Sequence, residues 1–314
     1  MNTRQLEYFL AVARELNFTR AAESMYVSQT AVTQQIKTLE EQLGVKLFER
    51  TKRKVTLTAA GRVFQEEATA ILNRIDKAVQ RTKEVTSGFI GTLNIGFTLG
   101  IGNTQISERI RSFYRHYPNI AMKFTNLSPA MLARQIKEGQ QDLALMPLFY
   151  EQSYEDFCYR KLERERLMAV MPWDHILAQN QFVTWRELQN EPLIIAATKD
   201  SELGEDRIIL DHFTRRGYQP NVVGYDEDVE TIMFMVSCHM GISIFPEYLA
   251  VPEVGKITAV PFGAWEDHLD LVAAWMPDND NPSLERIIPF LEEHSVGEDI
   301  GRDNLGPDEK ASEE

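Results

Sequence analysis

Cysteine is nearly missing from this chain: 314 residues hold two, Cys158 and Cys238, far apart and outside any C-x-x-C spacing. That excludes a disulfide framework and a zinc site, and no metal ligand set is expected. Long apolar runs are missing as well. None approaches the roughly 18–20 residues that span a bilayer, so no membrane partner is expected. The start, MNTRQLEYFLAVARELNF, is too charged for a secretory leader, which points to the cytoplasm. No nucleophile–base pair or phosphate loop can be read. GFTLGIGN has glycines, but neither their spacing nor a following acidic residue fits a dinucleotide fingerprint. The expectation is therefore a non-enzyme without a cofactor. The last deficit is positive charge: 33 Lys and Arg against 47 Asp and Glu leave a net −14. Taken alone, that argues against a nucleic-acid partner.

The distribution of charge reverses this. Residues 1–62 hold ten Lys and Arg against six Asp and Glu, a net +4, so the remainder carries −18. Residues 292–314 alone account for −7 and are nearly free of apolar residues, a composition that reads as a disordered acidic tail over 293–314. What is present in the basic fifth is helical periodicity. Leu6, Phe9, Leu10, Ala13 and Leu16 form one apolar stripe. Thr19 is placed as the N-cap of a short helix over Arg20–Met25. Ser28 then caps a third helix, Gln29–Gln42, with Ala31, Val32, Ile36, Leu39 and Leu43 facing inward and Gly44 ending it. The short break at MYV makes the pair a helix-turn-helix. VKLFERTKRKVTLT alternates around a basic tip and reads as a two-stranded wing.

Thr58 caps a long helix in which Phe64, Ala68, Ile71, Ile75, Ala78, Thr82 and Val85 recur at alternating steps of four and three, a heptad seam that Leu72 and Val79 widen. A rod with one apolar stripe needs a partner, and a second copy is the simplest. After Gly88 and Gly91 the pattern becomes alternating strand and helix, which predicts two α/β lobes with a cleft between them. Asn103 and Ser128 are expected as helix caps, with Pro129 at the first helical position. The expected division is 1–58 winged helix-turn-helix, 59–88 linker helix and 89–292 two-lobed α/β domain.

The third helix carries short polar residues where a surface helix usually carries long charges. Ser28, Gln29, Thr30, Thr33 and Gln34 share one side, with Lys37 a turn further on. Short side chains suit close approach to base edges in the major groove. Gln can bond adenine at two points, and Thr can meet a thymine methyl. Beside such a helix, the wing residues Arg50 and Arg53 are expected on phosphate or in the minor groove.

The stretch FLAVARELNFTRAAESMYVSQTAVTQQIKTLEEQLGVKLFERTKRKVTLTAAG closely resembles the DNA-binding module of LysR-type transcriptional regulators, without a gap. The order of helix, helix-turn-helix, wing and linker helix matches too. Members often have Pro where Thr30 stands and Arg where Gln34 stands, so sequence preference does not transfer. The resemblance implies operator or promoter DNA as a partner, a homodimer extending to a homotetramer, RNA polymerase as a further candidate partner, and a small-molecule effector. The effector domain, similar to periplasmic solute-binding proteins, would hold that ligand near Thr98, Leu99, Gly100, Gly102, Asn103, Ser128, Ile195 and Thr198, with Glu230 and Thr231 facing the cleft. Helix N-termini aimed into the cleft would suit a small anion. A redox-responsive member using Cys158 and Cys238, a solute-binding protein and an enzyme are the alternative readings.

Overall fold

The structure is a computed structural model and describes residues 1–50, 54–87, 91–197, 203–263 and 267–292. The expected acidic tail, Arg53 and Thr198 lie outside the described residues.

Helix α1 spans Thr3–Glu15. Asn2 and Gln5 cap it reciprocally, each side chain bonding the other's backbone N–H at 3.0 Å. Leu16 leaves the predicted stripe: it sits in the left-handed region at φ 45° and is exposed. Helix α2 runs Phe18–Ser24, earlier than the sequence suggested. Asn17, not Thr19, caps it, because the Asn17 carboxamide reaches the N–H groups of both Thr19 and Arg20. The turn at Met25–Val27 leads to α3, Gln29–Leu43, with the Ser28 hydroxyl accepting from Ala31 N–H at 3.2 Å. Gly44 follows at φ 71°. Of the predicted inner face, Val32, Ile36 and Leu39 are fully buried, Ala31 is half-buried and Leu43 is exposed.

Strands β1, Phe48–Arg50, and β2, Val55–Leu57, pair antiparallel as the wing. Helix α4 spans Ala59–Ser87, and the Thr58 hydroxyl accepts from Gly61 N–H at 2.9 Å. The core of this unit centres on Phe9, whose ring lies 5.3 Å from that of Phe48 and 5.0 Å from that of Phe64. The seam of α4 therefore divides. Phe64, Ala68 and Leu72 pack into that core, while Ile71, Ile75 and Val79 remain exposed.

The rest of the described chain forms two lobes on one continuous sheet. In order come β3 (Gly91–Phe97), a 3₁₀ turn (Ile101–Asn103), α5 (Ile106–His116), β4 (Ile120–Asn126), α6 (Pro129–Lys137), β5 (Leu143–Leu148) and β6 (Cys158–Pro172). Then follow α7 (Trp185–Leu188), β7 (Pro192–Ala196), α8 (Glu205–Thr214), β8 (Asn221–Asp226), α9 (Val229–Ser237), β9 (Ile242–Pro246), β10 (Ile257–Pro261), β11 (His268–Trp275) and α10 (Pro282–Glu292). The strand order is β4-β3-β5-β11-β6 in lobe I, and it continues β6-β9-β7-β8 in lobe II with β10 on the second half of β6. Strands β5 and β9 are buried along their whole length, as expected of central strands covered on both faces.

Strand β6 joins the lobes. Residues 158–166 pair with β11, and the remainder pairs with β9 and β10. At the crossing, Leu167 N–H donates to Asp267 O at 3.0 Å. The Asp267 side chain is buried and takes an Arg216 guanidinium bond at 2.9 Å, with His212 Nδ1 at 3.3 Å. Burial alone would raise its pKa, but His212 and Arg216 hold the carboxyl below its usual range. Helix α4 rests on lobe I, where Asn73 Nδ2 donates to Glu138 O at 2.7 Å and Arg74 pairs with Asp280 at 3.1 Å.

Candidate nucleic-acid face and interlobe cleft

One face of α3 is buried and the opposite face carries the polar residues. Ser28, Gln29, Thr30, Gln34 and Lys37 are exposed, and Thr33 is half-buried. Ser28 is partly committed, since its hydroxyl caps the helix. The Lys37 ammonium is 3.7 Å from Glu41, an exposed i,i+4 pair that holds it weakly. The Arg50 guanidinium stacks over the Phe18 ring at 4.1 Å, which fixes its position between α2 and the wing. Tyr26 had no functional reading from sequence. It sits in the turn before α3 at φ 55° and is 97% exposed, a large aromatic ring set beside the polar face.

Glu40 sets the wing against this helix. It is buried, and its Oε1 accepts from the N–H groups of Leu47 and Phe48 at 3.0 and 3.2 Å while Oε2 takes Lys46 Nζ at 2.8 Å. Burial pushes its pKa up, but these donors outweigh it and hold the carboxyl below 4.5. From sequence, Glu40 reads as one more helix-surface charge.

The cleft between the lobes encloses about 300 Å³. Thr98, Leu99, Ser128 and Ile195 line it, as expected. Gly100, Gly102 and Asn103 do not. Gly100 turns the chain away at φ 82°, and Asn103 ends the 3₁₀ turn and donates to Tyr248 O at 3.0 Å instead of capping a helix. Helix α5 begins later, at Ile106. Ser128 is the N-cap residue of α6 with Pro129 at its first position, but its side chain closes no capping bond.

Glu230 and Thr231 also miss the cleft and are exposed. Asp228 caps α9, accepting from Thr231 N–H at 2.9 Å and from its hydroxyl at 2.5 Å, and this geometry brings Glu227, Asp228 and Val229 to the lining instead. The D-x-x-T spacing was the available signal for that cap. Glu205, Asn126, Tyr248, His268 and Phe149 also line the cleft and were not foreseen.

Two helix N-termini at the cleft hold the chain's own carboxylates, Glu205 in the first turn of α8 and Asp228 at the cap of α9. The Thr98 and Tyr248 hydroxyls lie beside each other, both residues 5% exposed, and neither completes a hydrogen bond of ordinary geometry. Burial raises the Tyr248 phenol well above its usual pKa. Below the crossing, Glu165 is raised to about 7, first by burial and then by the neighbouring charges of Glu163 and Glu247.

Two family patterns match the chain. The one described as "Bacterial regulatory helix-turn-helix protein, lysR family" covers residues 3–62, and "LysR substrate binding domain" covers 86–295. The Hca operon transcriptional activator HcaR of Escherichia coli K12 is 30% identical over 296 residues, spanning 93% of this chain and 98% of that protein. The regulator YnfL of the same organism is 32% identical over 275 residues, spanning 87% and 91%. Among solved structures, full-length CbnR complexed with its target DNA matches with a TM-score of 0.71 at 22% identity, over 93% of this chain and 99% of that one.

Proposed function

The chain belongs to the LysR family of transcriptional regulators, and on that premise we propose how it acts. The winged helix-turn-helix reads operator DNA, and a small molecule in the interlobe cleft sets the position of that reading head. The carrying observation is the division of α3 into a buried apolar face and an exposed short-sided polar one, next to a wing fixed by Glu40. CbnR, which shares the fold, is solved on its target DNA.

Exposed Ile71, Ile75 and Val79 on α4 are the surface a second copy covers, so two heads address two half-sites of a roughly palindromic operator. Two such dimers make the working tetramer, and RNA polymerase is its neighbour at the promoter. The regulator works in the cytoplasm, performs no catalysis and needs no resident cofactor. Cys158 and Cys238 are free thiols at the start of β6 and the end of α9, on different lobes, which favours ligand control over a thiol switch. The ligand shifts the equilibrium only by its difference in affinity for the two arrangements of the heads.

The test is genome-wide footprinting of the purified protein on fragmented DNA of its source at near-physiological salt. Sharp palindromic sites are expected. Gln29→Ala or Thr33→Ala should relax preference at individual base pairs by about 1–3 kcal/mol per lost contact. Equal weakening on all DNA would show that α3 does not read bases.

A further inference from the structure

We propose that Tyr26 is a DNA-contact residue: its phenol hydroxyl donates to a phosphate oxygen at the edge of the groove that α3 enters, and anchors the head without reading sequence. This rests on the reading of the winged helix-turn-helix as the DNA-binding head and adds a contact that neither α3 nor the wing supplies.

The first observation is a backbone conformation that stability does not select. Helix α2 ends in a two-bond turn, in which Tyr26 N–H donates to Glu23 O at 3.1 Å and Val27 N–H to Ala22 O at 3.0 Å. The first donor of this turn must adopt the left-handed region, and Tyr26 does so at φ 55°. The same pair of bonds ends α6 at Gly139 and α8 at Gly217, with φ 69° and 78°. Glycine takes that conformation without steric cost, whereas a bulky aromatic residue there is an outlier. A costly conformation that is kept points to a function that needs the side chain.

The second observation is independent and concerns the side chain. Tyr26 is 97% exposed, and among the described residues its ring and hydroxyl have no partner. The other described non-glycine residues at positive φ recover something: Leu16 covers more than half of its surface, and His239 Nε2 lies 3.6 Å from Asp174 Oδ1. Met25 and Val27 turn toward the core, so no apolar patch surrounds the ring for a protein partner. Tyr26 stands two residues before Ser28, the cap of α3, which limits their Cα separation to about 8 Å. In a helix-turn-helix the first helix crosses the DNA backbone and the N-terminal end of the second enters the major groove. The turn between them therefore faces the phosphates that rim the groove. Phosphate oxygens only accept, and a tyrosine hydroxyl is a donor without charge.

The experiment titrates the full chain, by fluorescence anisotropy over about 50–200 mM salt, against an operator duplex taken from the footprint and a scrambled duplex of equal length. Tyr26→Phe should weaken binding at least about tenfold on both duplexes, because a hydrogen bond to a charged group is lost. Tyr26→Gly should weaken it as much or more and yet raise the thermal midpoint, since glycine relieves the backbone. An uncharged donor releases no counterion, so both variants should keep the wild-type slope of log K against log salt. Lys37→Gln should reduce that slope by about 1 per head. Wild-type affinity in both variants overturns the proposal, and if transcription from the promoter falls while DNA affinity holds, the ring belongs to a polymerase contact. Loss confined to the operator duplex overturns it too and makes Tyr26 a base reader. A lower midpoint for Tyr26→Gly overturns it as well, because the ring would then serve the fold. A wild-type chain that binds neither duplex overturns the reading of the head itself.

Discussion

Replacing Glu40 with alanine removes one acceptor that three donors share. Leu47 and Phe48 are 1% and 4% exposed, so their N–H groups have no water to turn to once the carboxylate is gone. Each buried donor left unpaired costs about 1–3 kcal/mol, which puts the pair at roughly 2–6 and, after local relaxation, about 3–4 kcal/mol. Lys46 contributes little to this, because its side chain is largely exposed and an ion pair with solvent on one side is worth under about 1 kcal/mol. Glu40→Gln keeps a carbonyl oxygen for both N–H groups and gives up only the Lys46 charge, so it should cost about 0.5–1 kcal/mol.

Hydrogen exchange of the peptide covering Lys46–Arg50, followed by mass spectrometry in the full chain, reads the local opening directly. Glu40→Ala should raise that exchange by two orders of magnitude or more, while Glu40→Gln should raise it only a few-fold. The Glu40 carboxyl is held below 4.5 in the folded state. Its contribution is therefore complete above pH 4.5 and is lost as pH falls through the folded value, and Glu40→Gln should abolish that acid-dependent opening. Equal exchange in wild type and Glu40→Ala would refute the latch. Equal damage from alanine and glutamine would show that charge, not acceptor geometry, holds the wing.

Three further outcomes can be checked by ordinary means. Glu165 has the opposite sign: its folded value of about 7 exceeds the usual 4.5, so folded stability falls as pH rises between the two. That gap allows at most about 3 kcal/mol, reduced by solvent access at this half-buried site to about 1–2, and Glu165→Gln should recover it at pH 8 in thermal unfolding. Ile71→Glu with Ile75→Glu should halve the sedimenting mass, and an unchanged mass would dismiss α4 as the pairing surface. Gly61→Ala would drive a Cβ into the Leu47 carbonyl oxygen and should cost about 1–3 kcal/mol, seen as a lower midpoint in denaturant.

Much of the N-terminal unit could be read from sequence because its signals are local. The Ser28 cap, the Gly44 stop and the period of Val32, Ile36 and Leu39 each reflect contacts within a turn or two of helix. Asn17 outcompeted Thr19 as a cap because its carboxamide serves two N–H groups at once. The wing latch is not legible in the sequence because Glu40 meets partners six to eight residues away, across a change of secondary structure.

In the lobes, alternation predicted the sheet but not its continuity. The first half of β6 is mostly exposed or partly covered, with Leu162 alone buried and no regular alternation, and it pairs with β11, more than 100 residues later. The cleft was half legible for the same reason. Thr98 and Ser128 stand at strand and helix ends that the pattern marks, whereas Tyr248, Glu205 and His268 reach it only through tertiary folding. Glu230 and Thr231 were misplaced because the Asp228 cap turns α9 so that the residues before it face inward.

The resting place of α4 on lobe I has a mechanical meaning. Asn73 and Arg74 fasten the helix near its middle, so it acts as a lever pivoted on lobe I. From that pivot to Ala59 is about 21 Å of rise. A tilt of about 10° at the pivot would swing the far end by nearly 4 Å, close to one base-pair step along DNA. A tilt of α4 too small to alter the fold of the lobes would therefore displace the helix-turn-helix by a distance comparable to one base-pair step.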